Sequence, residues 1–260
     1  MQSIRKSMRL GGRLMKIVLS NPRRLSHVLG TALAATEEVH DASLDLLRLP
    51  GVPIEDLLPE SGPELRTTLA CFPKTKAGIS LLEAMALVLL VKKARASTVF
   101  EFGTYKGFSV TQLALNLPPG SRIFTLDLPE DDPRSAFAIT DPEDIEIALE
   151  KGKGALVPKD LRNRINFLRQ DSAVFDESPY EGQMDFVFVD GAHNPDYVKN
   201  DSAKGWRMLR SGGIIAWHDY RPSDPAVVRF LLQSPYNPKR IVGTTLAFAT
   251  KPNGPRTEHA

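Results

Sequence analysis

Hydrophobic residues in this chain gather in short runs that alternate with longer stretches of helical periodicity. The runs that predict buried strands are residues 99–102, 123–126, 165–168, 186–189 and 214–217. A run that is apolar throughout, such as 186–189, is typical of a strand covered on both faces of a parallel sheet. Two further runs within 239–250 turn at Gly243 and predict a closing pair of strands. The pattern as a whole predicts an α/β fold.

Helix signals lie between the predicted strands. Ser80 followed by Glu83 is a capping-box pair at the start of an apolar helix that continues to the first strand. Pro195 suits the first turn of a helix over residues 195–209, and residues 225–234 predict a shorter helix. These helices have the lengths and positions that crossover connections between parallel strands require.

Two regions break this alternation. Residues 1–75 predict a helical extension that could cover a substrate pocket or contact a second copy of the chain. Residues 129–160, rich in proline and acidic residues, follow the second strand. Because insertions at the carboxyl ends of strands commonly cover ligands, we expect a helical flap there that helps shape the acceptor pocket, with a plain surface loop as the alternative. The main domain is then expected at 76–250, followed by a disordered tail at 251–260.

The first strand leads into a glycine loop with the spacing Gly103-x-x-x-Gly107. A strand, a glycine turn and a helix start form the setting of a nucleotide-type site. Asp127, at the tip of the next strand, is placed to accept hydrogen bonds from a ribose diol. A dinucleotide site would require G-x-G-x-x-G, and Glu101, two residues before the loop, suits a cationic cofactor better than an anionic one.

Composition and charge exclude some classes and leave others open. The net charge of +2 gives no ground for nucleic-acid binding, and no apolar run approaches the roughly 20 residues of a membrane span. A lone cysteine, Cys71, fits a reducing, cytoplasmic setting. No acidic residue precedes Glu37, so the basic N-terminal stretch indicates either a packed helix with a solvated face or a helix lying on an anionic membrane or partner.

Four segments together resemble one enzyme family. EFGTYKG at 101–107, Asp127, VDGAH at 189–193 and LRSGGIIAWHDY at 209–220 occur in the order found in class I S-adenosylmethionine-dependent methyltransferases. They are similar to the small-molecule O-methyltransferases that include the macrocin-type enzymes. The resemblance covers about residues 98–250. It implies a Rossmann-like sheet of seven strands, mostly parallel, ending in an antiparallel hairpin. Where the family usually has a further glycine, this chain has Tyr105.

The resemblance also implies roles for individual residues. It places S-adenosylmethionine against the strand ends, at Glu101, Gly103, Thr104, Tyr105, Gly107, Ser109, Asp127, Leu128, Asp171, Ser172 and Asp190. In metal-dependent relatives, the positions of Asp190, His218 and Asp219 hold a divalent ion such as Mg²⁺ or Mn²⁺. A histidine in that set departs from the all-oxygen shell that magnesium prefers, and no metal at all is the alternative.

The expected chemistry is methyl transfer to a small-molecule acceptor, most readily at a hydroxyl oxygen. An in-line displacement needs alignment and one proton acceptor, and an ordinary histidine is suited to that role near neutral pH. His193 is the first candidate for the base, with His218 second and Asp190 beside them. An NAD-dependent oxidoreductase and a non-catalytic protein of the same fold remain as alternatives.

Overall fold

The computed structural model describes residues 46–58, 65–70, 78–131 and 134–253. The predicted basic N-terminal helix, Cys71 and the tail from residue 254 lie outside these ranges. Residues from Leu46 onward belong to one compact unit. Within the described part of the chain, no helix combines the length and the apolar character that crossing a bilayer requires.

Eight strands form a single sheet. They are β1 (Gly51–Val52), β2 (Thr98–Phe102), β3 (Arg122–Asp127), β4 (Ile165–Arg169), β5 (Met184–Val189), β6 (Leu209–Trp217), β7 (Lys239–Ile241) and β8 (Ala247–Thr250). The spatial order is β1-β7-β8-β6-β5-β2-β3-β4. Strand β8 runs antiparallel to β6 and β7, and the other pairs are parallel. The expected mostly parallel sheet with a closing antiparallel hairpin is confirmed.

The sheet has one strand more than the seven expected. Strand β1 comes from the segment that begins at Pro50, where the sequence predicts only the end of a helix. It extends the sheet beside β7, because Pro50 accepts a backbone hydrogen bond from Arg240, and Val52 accepts one from Val242, each at 3.0 Å. A two-residue strand carries no periodicity of its own, so only this pairing reveals it.

Six α-helices accompany the sheet. They are α1 (Leu81–Lys93), α2 (Phe108–Asn116), α3 (Pro142–Leu149), α4 (Lys159–Arg162), α5 (Pro195–Met208) and α6 (Pro225–Gln233), all within the described ranges. The capping box at the start of α1 is present, since the Ser80 hydroxyl accepts from the Glu83 amide and the Glu83 carboxylate accepts from the Ser80 amide. Single-turn 3₁₀ helices lie at Leu46–Arg48, Ile54–Leu57 and Ser178–Tyr180.

The central strands are buried on both faces. Along β5, Phe186 and Phe188 belong to the hydrophobic cluster on one face of the sheet, where helices α1 and α2 contribute apolar side chains. Val187 and Val189 belong to the cluster on the opposite face, shared with helices α5 and α6. Because successive side chains of a strand point to opposite faces, a continuous apolar run is what this double covering requires.

The strand order reverses direction at β2. Strand β3 lies on one side of β2 and β5 on the other, and both pairs are parallel. The chain continues from β2 to β3 on one side and, after β4, crosses to β5 on the other, so that a crevice opens at the carboxyl ends of β2 and β5. This is where the sequence places the glycine loop and the Asp190 segment.

Candidate active site

The glycine loop after β2 is shaped by a close backbone contact. Gly103 has φ of +91°, and a Cβ at this position would lie 1.9 Å from the carbonyl oxygen of Asp190. Only glycine allows the ends of β2 and β5 to approach this closely. Tyr105, two residues later, also has positive φ, at 43°. The loop therefore turns sharply and leads into α2 beside the strand ends.

An open cavity lies at this edge of the sheet, and the space within it, together with the solvent at its mouth, is about 1090 Å³. Seven of the predicted cofactor-binding residues lie on its wall, namely Gly103, Tyr105, Asp127, Leu128, Asp171, Ser172 and Asp190. The ends of β2, β3, β4 and β5 thus converge on one space.

Four predicted cofactor-binding residues do not line this cavity: Glu101, Thr104, Gly107 and Ser109. Glu101 is fully buried within the sheet, where its carboxyl oxygens lie 2.6 Å from the Ser109 hydroxyl and 2.5 Å from the Thr125 hydroxyl. Burial raises the pKa of Glu101 to about 8. A carboxyl that is neutral at pH 7 and enclosed by hydroxyls supports the glycine loop from within the sheet.

The carboxylate of Asp127 is held from two sides. Its Oδ2 accepts hydrogen bonds from the backbone amides of Thr104, at 3.1 Å, and Tyr105, at 2.8 Å. Its Oδ1 lies 3.0 Å from the ammonium of Lys153. The predicted ribose-binding carboxylate is therefore fixed against the glycine loop and faces a cation from the insertion.

Asp171 follows β4, and its carboxylate accepts three hydrogen bonds. Its Oδ1 accepts from the Tyr197 hydroxyl at 2.8 Å and from the Ala173 amide at 2.9 Å, and its Oδ2 accepts from the Ala136 amide at 2.6 Å. Burial, followed by the hydrogen bond to Asp171, raises the pKa of Tyr197 well above its usual range, so its hydroxyl stays a donor. Asp171 joins the insertion to α5 at the cavity wall.

The residues after β5 and β6 form the cluster that the sequence predicts. The Nδ1 of His218 lies 3.0 Å from Asp190 Oδ1 and 2.9 Å from Asp219 Oδ2. Burial opposes a charge on this ring, but the negative charge and hydrogen bond of Asp190, with Asp219 and Glu83, raise the pKa of His218 well above its usual range. The ring is therefore an imidazolium between carboxylates.

Glu83 closes the cluster on its far side. Its Oε2 accepts a hydrogen bond from the Ser80 amide at 2.7 Å and lies 3.5 Å from His218 Nε2. Its Oε1 accepts hydrogen bonds from the amide and the hydroxyl of Thr245, each at 2.8 Å. Burial opposes its ionisation, but the hydrogen bond and charge of His218 hold the pKa of Glu83 well below its usual range. The sequence identifies Glu83 only as a helix cap, so its contact with the site is new information.

His193 is bonded on both ring nitrogens. Its Nδ1 lies 2.6 Å from Asp144 Oδ1, and its Nε2 lies 2.6 Å from Asp219 Oδ2. Burial opposes a charge on the ring, yet the two carboxylates raise the pKa of His193 to about 11. In this arrangement neither His193 nor His218 has a free ring nitrogen to accept a substrate proton, which both would need as the general base.

Asp219 stands at the centre of the cluster. It has positive φ, at 59°, an uncommon conformation for a residue other than glycine. Its Oδ2 serves both histidines, whereas Oδ1 is buried, makes no hydrogen bond within the described residues and lies 3.1 Å from Arg221 Nε. Burial opposes its ionisation, but His193 and His218 hold the pKa of Asp219 far below its usual range. Asp219 thus holds a charged carboxylate whose Oδ1 faces the guanidinium of Arg221.

The three residues expected to hold a metal converge, with one ligand atom from each within 4.8 Å of the others. Their chemistry differs from that of a metal shell. The ring nitrogen that faces the two carboxylates, His218 Nδ1, donates its proton to both, and Asp219 Oδ2 already accepts from two rings. A divalent cation needs a deprotonated ligand at that position. With His218 protonated, the residues as arranged do not fit a metal ion, because the imidazolium already supplies the positive charge.

The insertion contributes to both ends of the cavity. Helix α3 carries Asp144, which also accepts the backbone N–H of His193 at 2.7 Å. Further on, the amides of Gly154 and Leu156 donate to the carbonyl oxygens of Tyr105 and Lys106, at 2.6 and 2.9 Å. The insertion is therefore a wall of the site on the cofactor side as well as on the acceptor side.

Sequence reasoning misses Asp144 and Lys153. Asp144 stands among acidic neighbours that give it no distinguishing pattern. Lys153 lies in a Gly-Lys-Gly turn at 152–154, and a lysine held between two glycines within a predicted flap is a signal that could have drawn attention to it.

Comparison with known proteins identifies this architecture. Residues 100–220, which hold the glycine loop, both histidines and the acidic cluster, match the model of a methyltransferase domain family. The chain is an S-adenosylmethionine-dependent methyltransferase. The expected enzyme class and cofactor are confirmed, and the oxidoreductase alternative is set aside.

Two curated relatives of the methyltransferase are plant enzymes. Caffeoyl-CoA O-methyltransferase of Stellaria longipes is 26% identical over 197 residues, which are 74% of this chain and 72% of that enzyme. Caffeoyl-CoA O-methyltransferase 1 of Arabidopsis thaliana is 28% identical over 159 residues, which are 61% of this chain and 56% of that enzyme. The match thus spans from just over half to about three quarters of these relatives' lengths.

Among solved structures, cofactor-bound Rv0187 from MTB is similar to the methyltransferase with a TM-score of 0.50 and 19% identity. The similarity covers 69% of this chain and 84% of that one. At this level of identity the likeness concerns the fold.

Proposed function

We propose that the methyltransferase transfers the methyl group of S-adenosylmethionine to a hydroxyl oxygen of a small molecule, without a metal ion. The observation that carries this proposal is the cluster of Asp190, His218 and Asp219 on the wall of the cavity that the glycine loop also lines. The plant relatives, named for methylation of an oxygen, support the same reaction type.

The chemical step places modest demands on the protein. The methyl carbon–sulfur bond breaks as the oxygen–carbon bond forms, giving S-adenosylhomocysteine and a methyl ether, and the hydroxyl proton must leave. Because an oxygen becomes strongly acidic as it takes up a methyl group, a weakly basic carboxylate is sufficient to accept that proton. Asp219 Oδ1, buried and without a hydrogen bond among the described residues, is the atom that we expect the acceptor hydroxyl to contact.

The rest of the cluster keeps Asp219 in place. Two imidazolium rings on Oδ2 fix the carboxylate, and Oδ1, which lies 3.1 Å from Arg221 Nε, is the oxygen that carries no hydrogen bond from either ring. Asp190 and Glu83 balance the charge of His218, and Asp144 balances that of His193. Alignment of donor and acceptor in such a fixed site can supply on the order of 7–11 kcal/mol of rate acceleration at its limit.

The test is turnover with a panel of hydroxyl acceptors. Caffeoyl-CoA, catechol, a simple phenol and a sugar would each be incubated with S-adenosylmethionine, and methylated product detected by mass spectrometry. We expect product from at least one acceptor, and a loss of about 100-fold or more in kcat for Asp219→Asn with S-adenosylhomocysteine affinity unchanged. Retained affinity without turnover on any hydroxyl acceptor would contradict the proposal and favour a non-catalytic role.

Other expectations stay predictions. These are a cytoplasmic location, a membrane contact through the basic N-terminal stretch, a homodimer and the division into an extension at 1–75 and a methyltransferase domain at 76–250. None of them enters the reaction proposed above.

A further inference from the structure

Lys153 is a buried cation at the cofactor end of the cavity. Its side chain is 1% exposed, although lysine is among the residues least often buried without a partner. Its ammonium lies 3.0 Å from Asp127 Oδ1 and donates to the carbonyl oxygen of Ile147 at 3.3 Å. Lys153 also lines the cavity. An ammonium has three N–H groups, so these two partners leave one for a ligand.

The backbone around Lys153 is fixed as firmly as the side chain. Its amide donates to the Glu130 carboxylate at 2.7 Å, and its carbonyl oxygen accepts from Arg169 at 3.1 Å. Gly154, the next residue, has φ of +74°, and a Cβ there would lie 2.7 Å from the Phe167 ring. The turn is therefore built to hold this lysine in one position.

Asp127 and Lys153 present complementary groups to the same space. Asp127 Oδ2 is taken up by the amides of the glycine loop, which leaves Oδ1 as the oxygen that faces Lys153. A carboxylate oxygen accepts and an ammonium donates. A vicinal diol can satisfy both, since one hydroxyl donates to the carboxylate while a hydroxyl oxygen accepts from the ammonium.

We propose that Lys153 is a cofactor-binding residue supplied by the insertion, and that it forms with Asp127 a two-residue clamp for the ribose diol of S-adenosylmethionine. The proposal rests on the assignment of this cavity to S-adenosylmethionine. It gives the insertion a role in holding the nucleoside, whereas the sequence led us to expect a flap on the acceptor side.

The test is calorimetric titration with S-adenosylhomocysteine of the wild type, Lys153→Met and Lys151→Met. Met keeps the length of the lysine stem and removes the charge. Lys151 is an exposed lysine of the same segment, so its variant is the matched control. Loss of one charge-assisted hydrogen bond predicts an affinity about 10- to 100-fold weaker for Lys153→Met and unchanged for Lys151→Met.

A second readout separates ligand contact from a general structural role. We expect the wild type to prefer S-adenosylhomocysteine over its 2′-deoxy analogue, and this preference to shrink several-fold in Lys153→Met. If Lys153→Met does not fold, as judged by thermal unfolding, Lys153→Gln retains a neutral donor and should give an intermediate affinity and preference.

The outcomes separate this proposal from the assignment of the cavity. No binding of S-adenosylhomocysteine to the wild type would overturn the cofactor site itself. Wild-type binding with unchanged or tighter affinity in Lys153→Met, or an unchanged preference for the ribose over the deoxyribose analogue, would overturn the clamp alone.

Discussion

Glu101 offers a direct test of how the site is supported, through the substitution Glu101→Gln. The side chain is 0% exposed, and burial, aided by the charges of Asp190 and Asp127, raises its pKa from 4.5 to about 8. The carboxyl is thus neutral at pH 7 in the folded protein and ionised in the unfolded chain. Glutamine keeps the shape and cannot ionise.

The size of the effect follows from the two pKa values. Below pH 4.5 the carboxyl is protonated in both states, and its contribution to stability is fully present. As pH rises, the unfolded chain gains stability by ionising while the folded protein does not, until the pH passes about 8. At about 1.4 kcal/mol for each tenfold change in acidity constant, roughly 3 kcal/mol of the unfolding free energy is lost by pH 7 and about 5 kcal/mol in all.

Urea unfolding from pH 5 to pH 9, followed by circular dichroism, measures this directly. We expect the unfolding free energy of the wild type, relative to Glu101→Gln, to fall by about 4 kcal/mol between pH 5 and pH 8. Asp201→Asn serves as a comparison, because burial raises the pKa of Asp201 to about 7. The unfolding free energy of the wild type relative to Asp201→Asn should therefore stop falling at a lower pH than it does relative to Glu101→Gln. A difference between wild type and Glu101→Gln that stays flat with pH would refute the reasoning.

The same variant tests the assignment of Glu101 to the cofactor. Because its carboxyl lies within the sheet and off the cavity wall, we expect Glu101→Gln to bind S-adenosylhomocysteine within about 3-fold of the wild type. A loss of tenfold or more would restore Glu101 as a direct ligand of the cationic cofactor tail.

Three further substitutions test other parts of the site. Asp144→Asn weakens the hydrogen bond to His193, and we expect kcat/KM for the acceptor to fall about tenfold with S-adenosylhomocysteine affinity unchanged. An equal loss in kcat/KM and in S-adenosylhomocysteine affinity would contradict an acceptor-side role. Chelation with EDTA should leave wild-type turnover intact, and activity abolished by EDTA would show that a metal is needed. His218→Asp replaces the imidazolium by an oxygen ligand, and we expect this variant to gain Mg²⁺ binding, measured by calorimetry. Gly103→Ala places a methyl group 1.9 Å from the Asp190 carbonyl oxygen, and we expect it to cost several kcal/mol of unfolding free energy and most of the cofactor affinity. A variant with the thermal stability and cofactor affinity of the wild type would disprove that contact.

The sequence predicts those parts of the fold that depend on local pattern. The strand at Met184–Val189 is apolar throughout because both of its faces are covered, and the Ser80–Glu83 pair marks the start of a helix by its own hydrogen bonds. The convergence of Asp190, His218 and Asp219 follows from parallel topology, since strand ends meet at one edge of the sheet.

What the sequence does not predict depends on partners far away in the chain. A histidine with an ordinary pKa is a natural base, but His193 meets Asp144 from an insertion whose path no periodicity reveals. Glu101 has the residue type of a cofactor ligand, and only its burial among Ser109 and Thr125 shows that it faces away from the cavity. The ammonium of Lys153 contacts Asp127, which lies 26 positions earlier in the sequence, and only this contact indicates a role for the lysine.

The position of Glu83 has a consequence for engineering. Helix capping rules treat glutamate and glutamine as near equals at the third position of a helix, so a stabilising library would exchange them freely. Here the same carboxylate that caps α1 also holds the hairpin at Thr245 and lies beside the ring of His218. Glu83→Gln would leave the helix start largely intact while removing one of the three anions around that ring. A screen that ranked variants by melting temperature alone would pass a change that alters the electrostatics of methyl transfer.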